Sequence, residues 1–260
     1  MRTVRHEGCA ACPLKCDIYL TALEMQLEAD LEPIHIQYKK HETICRQKTQ
    51  ITHAIVLLGG SAKMYINGLN NKNIILNILL PSNYIGLLPV YGIADATYNV
   101  AALSDCLTCH IDIDLITALY NSNQNFMHSL NQAFGKSVSV IMGKLISLNQ
   151  KQIRGKVAES LLYMSALYDS TRFVLTITRK ELAELSAISE ENAVRVLTEF
   201  RNEGIIDMAG KEISLREMGM LETIPTPGWK CRDLPSATGP GTRWSGHSGS
   251  PVPARSRTDR

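Results

Sequence analysis

The sequence lacks any apolar run of the roughly 18 residues that a membrane-spanning helix requires. Residues 1–8 are polar, and no apolar stretch long enough for the core of a signal peptide follows them. The sequence also lacks the nucleophile motifs, phosphate-binding loops and paired carboxylates that mark many enzyme active sites. We therefore expect a cytoplasmic protein that has no membrane partner and is not an enzyme.

A strong overall charge is lacking as well. The net charge of the 260 residues is +2, and the basic excess lies in residues 225–260, which hold six basic and two acidic side chains. Overall charge therefore gives no argument for nucleic-acid binding, which must rest on a local patch. Residues 225–260 are also rich in Pro, Gly, Ser and Arg and show no apolar period, so we expect a disordered tail in which Cys231 has no functional role.

The spacing of apolar runs and turn residues indicates a β domain in the first half of the chain. From Ile34 to Ile113, short apolar or alternating runs such as AIVLLGG and AKMYING are separated by turn residues, among them Gly59-Gly60 and Asn67-Gly68. The apolar content of 45% is enough to bury a sizeable core. This spacing of runs and turns predicts an antiparallel sandwich or barrel.

The apolar period changes to that of a helix from about Asn123. The apolar stripe at 4-3 spacing consists of Met127, Phe134, Val138, Ile141, Leu145 and Leu148. A stripe of this kind without proline predicts one long helix that packs against a partner helix. The alternative is a helix that lies on its own domain.

Two further helices, joined by a tight turn, are predicted within residues 176–207. The turn is Ser186-Ala187-Ile188, and Ser189 is a natural N-cap for the second helix. Residues 151–168 precede this pair and read as another helix, whereas residues 204–215 follow it and read as a small two-stranded wing. The arrangement predicts a winged helix-turn-helix.

The second helix of this pair has one face that must be buried and one that is polar. The apolar face consists of Ala193, Val196, Leu197 and Phe200, and the opposite face of Glu191, Val194, Arg195 and Thr198. Arg195 can reach O6 and N7 of guanine, while Glu191 can accept from cytosine and orient that Arg. The alternative is an ordinary surface ion pair worth a few tenths of a kcal/mol. The preceding turn and the wing favour base readout.

The order of these segments, with the stretch TRKELAELSAISEENAVRVLTEFRNEGII, resembles the Crp/Fnr family of bacterial transcription regulators from about Cys9 to Ile224. The resemblance implies an α+β fold with a jelly-roll β-barrel like the cyclic-nucleotide-binding domain. The implied parts are a sensory barrel with the cysteine segment at 1–122, a dimerisation helix at 123–150, a winged helix-turn-helix at 151–224 and the tail at 225–260. It also implies a homodimer that binds a palindromic promoter site in double-stranded DNA, with RNA polymerase as a partner.

The resemblance also assigns roles on the recognition helix. In the family, a Glu and an Arg four residues apart, here Glu191 and Arg195, read a G·C pair in a TGA-like half-site. The position before that Arg is Ser in Fnr-like members and Val194 here, which can pack on a thymine methyl but cannot donate a hydrogen bond. The catabolite-activator branch has a further Arg where this chain has Glu190. The expected DNA-binding residues are Arg179, Lys180, Ser189, Glu191, Val194, Arg195 and Lys211.

The β domain could sense one of three classes of signal. Cyclic-AMP binders in the family use a Gly-Glu-Leu segment and an Arg-Ser pair, where this chain has Leu87 or Leu88 and then Tyr98-Asn99. A buried cyclic phosphate without an Arg partner is costly, so we expect no cAMP binding. Haem or nitric oxide sensing is a second class, with candidate axial ligands His35, His41, His53, His110, His128 and Met64.

The third class is a signal that acts through cysteines. The Fnr branch holds an oxygen-labile [4Fe-4S] cluster with three N-terminal cysteines and one at the end of the β domain, and Cys9, Cys12, Cys16 and Cys109 stand at matching positions. The second interval is shorter here than in that pattern, and Cys45 is an alternative fourth ligand. Cys106 lies three positions from Cys109 on a predicted strand and should face the opposite side. The sequence thus predicts a redox- or gas-responsive regulator, in which the cysteines hold a cluster or act directly as thiols. The alternatives are a cofactor-free or other small-ligand-responsive regulator, or a structural or protein-binding module.

Overall fold

A computed structural model describes residues 1–4, 8–68 and 72–224 of the chain. The predictions for residues 225–260 and for Cys231 lie outside these residues. The strands are β1 Arg2–Val4, β2 Ile34–Tyr38, β3 Thr43–Cys45, β4 His53–Gly59, β5 Ala62–Asn67, β6 Asn73–Leu79, β7 Tyr84–Ile85, β8 Asn99–Ala102, β9 Cys106–Asp112, β10 Arg172–Val174, β11 Ile206–Ala209 and β12 Glu212–Leu215. The α-helices are α1 Asp17–Glu24, α2 Ile113–Ser122, α3 Gln124–Gln150, α4 Ile153–Tyr168, α5 Arg179–Ser186, α6 Glu190–Asn202 and α7 Met218–Thr223.

Two antiparallel sheets form the β domain. One has the strand order β1-β2-β9-β4-β7 and the other β3-β8-β5-β6. Alternate side chains of both sheets meet in one apolar core, which includes Ile36, Leu57, Met64, Val100 and Cys106. Burying one face of each strand in this way follows from the short alternating runs of the sequence.

A second apolar core lies on the outer face of the five-stranded sheet. It joins Cys109 and Val56 of the sheet to Ile18 of α1, Ile116 of α2 and Phe126 of α3. The N-terminal segment is thus packed where the sheet meets the start of the long helix. Asp17 strengthens this contact, because its Oδ2 accepts a 2.7 Å hydrogen bond from the hydroxyl of Ser129 on α3.

Helices α4 to α7 and the three-stranded sheet β10-β12-β11 form the C-terminal domain. Strands β11 and β12 make the wing that the sequence predicts, with the turn at Gly210. Together with the β domain and the 27-residue α3, this domain confirms the predicted α+β fold class. Among the helices of the described ranges, none has the length and apolarity needed to cross a bilayer.

The C-terminal domain packs against the β domain through α5. Ile75 and Ile78 of β6 belong to the same apolar core as α4, α5 and α6. Lys63 of β5 reaches into this contact, where its Nζ lies 3.1 Å from Oε1 of Glu181 and 3.1 Å from Oε2 of Glu184. Burial alone would lower the pKa of Lys63, but the two carboxylates outweigh it and hold that pKa above its ordinary value.

Candidate functional site

Local capping interactions fix the turn between α5 and α6. Thr178 and Glu181 form a capping box at the start of α5, and Ala187 ends that helix in the left-handed conformation with φ of 49°. Ser189 then caps α6, because its hydroxyl accepts from the backbone N–H of Asn192 at 3.3 Å. Such caps satisfy N–H groups that have no partner inside a helix. The turn is therefore set by short-range chemistry, as the sequence predicts.

Helix α6 buries its apolar face and leaves the other face in solvent. Ala193, Val196, Leu197 and Phe200 are buried. Val194 is 45% exposed, although an apolar side chain gains free energy from burial. Glu191, Thr198 and Arg195 are exposed beside it. The structure thus presents Glu191, Val194 and Arg195 together on an accessible helix surface.

The side chain of Arg195 is held along α6 by residues other than Glu191. Its Nη1 lies 2.9 Å from Oε1 of Glu199, and its Nη2 lies 3.3 Å from Oδ1 of Asn192. The i,i+4 spacing of Arg195 and Glu199 is visible in the sequence, although the predicted partner of Arg195 is Glu191. Glu199 is also bound by Arg154 of α4, a contact that no local pattern indicates.

Three of the expected DNA-binding residues are cations on α5 and on the wing. Lys180 and Lys211 are exposed at the start of α5 and at the tip of the wing. Arg179 is half-buried, donates to the carbonyl of Gly210 at 3.3 Å, and has a buried Nη1 without a hydrogen-bond partner among the described residues. Burial lowers the pKa of Arg179.

The structure brings the N-terminal cysteines close to Cys109. Cys9 and Cys16 pack against the apolar core that contains Cys109, and Cys12 is buried. Burial, together with the charges of Cys9, Cys16 and Cys12, raises the pKa of Cys109 to about 12. Burial also raises the pKa of Cys9 and of Cys16. These four thiols form one group at the junction of α1, β9 and α3, which we call the cysteine group.

The other two described cysteines lie elsewhere. Cys106 faces the core between the two sheets, where its Sγ donates to the carbonyl of Ser61 at 3.2 Å. Cys106 and Cys109 thus point to opposite faces of β9, which confirms the alternation predicted for that strand. Cys45 packs against the same inner core as Cys106, and its charge acts on Tyr38 and Tyr98 rather than on the cysteine group.

A preformed site for a single metal ion is not part of the structure described here: in residues 1–4, 8–68 and 72–224, no three His, Cys, Asp or Glu side chains are arranged to hold one. An iron–sulfur cluster differs, because its irons bind separate thiolates. Four cysteines are a donor set that suits such a cluster. Four thiolates are equally a donor set for a single zinc ion, so the chemistry of the residues alone admits either group.

The candidate haem ligands are spread over the β domain and α3. His35 and His110 are buried, and the rings of His53 and His110 lie 6.3 Å apart. Burial lowers the pKa of His110 to about 4, with the charges of His53 and His35 adding to the effect. Met64 is buried in the core between the sheets. His41 lies in a turn at φ of 72°, and His128 is exposed on α3, bonded to Gln132.

A cavity of about 680 Å³ lies between the β domain and α3. Leu87, Leu88 and Tyr98, the residues that replace the Glu and Arg of cyclic-AMP binders, all line it. The cavity wall contains Lys15, Asp17 and Lys136 but neither Arg nor Glu among the described residues.

Comparisons with known proteins agree with this architecture. The family model described as "Cyclic nucleotide-binding domain" matches residues 35–123, and "Crp-like helix-turn-helix domain" matches residues 155–224. The chain is 23% identical over 216 residues to the transcriptional activator protein anr of Pseudomonas aeruginosa, covering 80% of this chain and 87% of that protein. The corresponding values for the transcriptional activator protein FnrA of Stutzerimonas stutzeri are 23% over 225 residues, 83% and 91%. The structure of FixK2 from Bradyrhizobium japonicum shares the fold, with a TM-score of 0.68 at 18% identity over 74% of this chain and 96% of that one.

Proposed function

Because this chain belongs to the Crp/Fnr family of transcription regulators, we propose that it binds a palindromic promoter site as a homodimer, and that its cysteine group adjusts this binding to a redox or gas signal. The chain is a DNA-binding regulator and not an enzyme. The main support for the proposal is the exposed face of α6, a helix that follows the tight turn after α5 and precedes the wing. In this proposal the bound dimer acts on transcription through RNA polymerase.

The proposed readout uses the first turns of α6. Arg195 donates to O6 and N7 of a guanine, and Glu191 accepts from the paired cytosine. Val194 packs on a thymine methyl, which explains an apolar side chain left 45% exposed. Arg179, Lys180 and Lys211 bind phosphates, and the unpartnered Nη1 of Arg179 gains an acceptor in that contact.

The proposed dimer uses α3. This helix carries a set of large apolar side chains that are each at least 39% exposed, namely Phe134, Val138, Met142, Leu145 and Ile146. A second copy of the helix would cover them, and a two-fold symmetric pair would present two α6 helices to half-sites roughly 34 Å apart. The exposed stripe supports the interpretation that α3 packs against a partner rather than only on its own domain.

The proposed sensor is the cysteine group. Cys9, Cys12, Cys16 and Cys109 would hold a [4Fe-4S] cluster, which supplies oxygen-sensitive redox chemistry when bound. The chain's own contribution is a link to the dimer helix, because Cys16 directly precedes Asp17, whose carboxylate binds Ser129 of α3. Any change that moves Cys16 relative to Cys109 therefore acts on the start of α3.

Two measurements test this proposal. The first selects duplexes from a random pool with full-length protein and compares their binding with that of random DNA over a range of salt concentrations. We expect a palindrome with a G·C pair in each half-site, and recovery of no preferred sequence would contradict the proposed readout.

The second measurement is the visible spectrum of freshly purified anaerobic protein. Broad absorption that fades in air would support a cluster in the cysteine group. An intense, sharp haem band would replace the cluster with haem. A colourless protein would leave thiol chemistry alone as the sensor.

A further inference from the structure

Arg195 is one of four charged side chains that alternate in sign between α6 and the start of α4. Glu199 accepts from Nη1 of Arg195 with Oε1 and from Nη1 of Arg154 with Oε2, both at 2.9 Å. Arg154 in turn donates to the two carboxylate oxygens of Glu203 at 2.8 Å and 2.7 Å. Glu199 thus bridges two guanidinium groups, and the four charges cancel.

Two contacts fix the position of Arg154 among these four charged side chains. Its guanidinium carbon lies 5.0 Å from the ring centre of Phe200, which is fully buried, and its contact with Glu203 is bidentate. Bidentate geometry and membership in a network are the cases in which exposed ion pairs contribute measurably. Arg154 therefore gives Glu199 a defined position on the surface of α6.

We propose that Arg154 and Glu199 are positioning residues, which hold Arg195 ready for base readout and so set how strongly the protein discriminates its site from other DNA. The inference rests on the proposed function, in which Arg195 contacts a guanine. Arg is among the side chains that lose most rotamer freedom when fixed, so a guanidinium that is already held loses less on binding. This smaller loss of rotamer freedom stabilises the complex with the specific site more than the complex with other DNA. A contact with a phosphate alone does not require one particular orientation of the Arg195 side chain.

The strengths of the individual contacts explain why Arg154 is needed. An Arg that precedes its Glu by four residues is in the less favourable order on a helix, and an exposed pair alone is weak. The second oxygen of Glu199 on Arg154, and the contact of Asn192 with Nη2 of Arg195, supply the missing restraint. A guanidinium has more N–H donors than these contacts use, so Arg195 can still make a bidentate contact with guanine.

The test measures DNA affinity of full-length variants on two duplexes, one with the G·C pair in each half-site and one with A·T in its place. The variants are Glu199→Gln, Arg154→Ala, the double variant and Arg195→Ala. Arg172→Ala is the matched control, because it removes one charge from an exposed ion pair with Glu212 in the same domain. We expect Glu199→Gln and Arg154→Ala each to lower the ratio of the two affinities by about two- to tenfold. The double variant should lose little more than the worse single variant, since the two residues act through one contact.

The outcomes separate the inference from the proposed function. If Arg195→Ala destroys the discrimination but Glu199→Gln and Arg154→Ala leave the ratio at its parent value, only the inference is wrong, and the network merely ties α4 to α6. If Arg195→Ala itself leaves the ratio unchanged, Arg195 reads no base and both fail. The salt dependence of binding is a second readout, because a positioning role keeps its slope whereas a direct phosphate contact by Arg154 would make it shallower when lost.

Discussion

In the proposed readout, base recognition depends most on Arg195, because its guanidinium is exposed on the first turns of α6. We expect Arg195→Ala to weaken binding to the specific site by about 1–3 kcal/mol and binding to random duplex far less. Arg201→Ala is the matched control, since Arg201 is exposed on the last turn of the same helix. Titration of both DNAs at one salt concentration measures the difference. Equal losses on the two DNAs would mean that Arg195 touches only the backbone.

A single residue, His110, makes the stability of the folded state depend on pH. Burial, with the charges of His53 and His35, holds its pKa near 4 in the folded state, whereas an unfolded histidine titrates near 6.5. Between these values the unfolded chain binds a proton that the folded chain does not, so stability falls as the pH falls from about 6.5 to 4, by at most about 3 kcal/mol.

The replacement His110→Gln tests this dependence. Urea unfolding at pH 7 and at pH 4.5 should show a smaller loss of stability for the variant than for the parent protein. The same loss in both proteins would show that His110 does not contribute to the acid sensitivity of the fold.

Among the elements, α3 carries the exposed apolar face that the proposed dimer would cover. A carboxylate in that face would be buried against the second copy without compensation, so Leu145→Glu should produce monomers and abolish specific DNA binding together. Asn125→Glu places the same charge on an exposed position near the start of α3, about 180° around the helix from Phe134 and outside the apolar face, and should leave the dimer intact. Light scattering at micromolar concentration distinguishes the two. A dimer that survives Leu145→Glu would contradict a seam on this face.

The secondary structure near the site could be predicted from local patterns, but the packing between elements could not. Alternation along β9 placed Cys106 and Cys109 on opposite faces, and capping residues marked the turn between α5 and α6. In contrast, α5 is buried from Glu181 to Ser186 because it also lies on β6, a segment about 100 residues earlier. The contact of Arg154 with Glu199 was missed for the same reason, since a local period carries no information about distant segments.

At the scale of the whole molecule, a continuous set of contacts joins the cysteine group to α6. Asp17, next to Cys16, binds Ser129 on α3, and α3 ends at Gln150, shortly before α4 begins. Arg154, the second residue of α4, holds α6 through Glu199 and Glu203. In the proposed function, a small shift at the start of α3 would reach the exposed face of α6 along this path.

Replacing Cys9, Cys12 and Cys16 together by Ser tests whether the cysteine group controls DNA binding, as proposed. Affinity for the specific site is measured in air and under anaerobic, reducing conditions, with Cys45→Ser as the control because Cys45 lies in a different core. We predict that the parent protein and Cys45→Ser bind with different affinities under the two conditions, whereas the triple variant binds with the same affinity under both. A triple variant that keeps the difference of the parent protein would contradict the account and place the sensor elsewhere in the β domain.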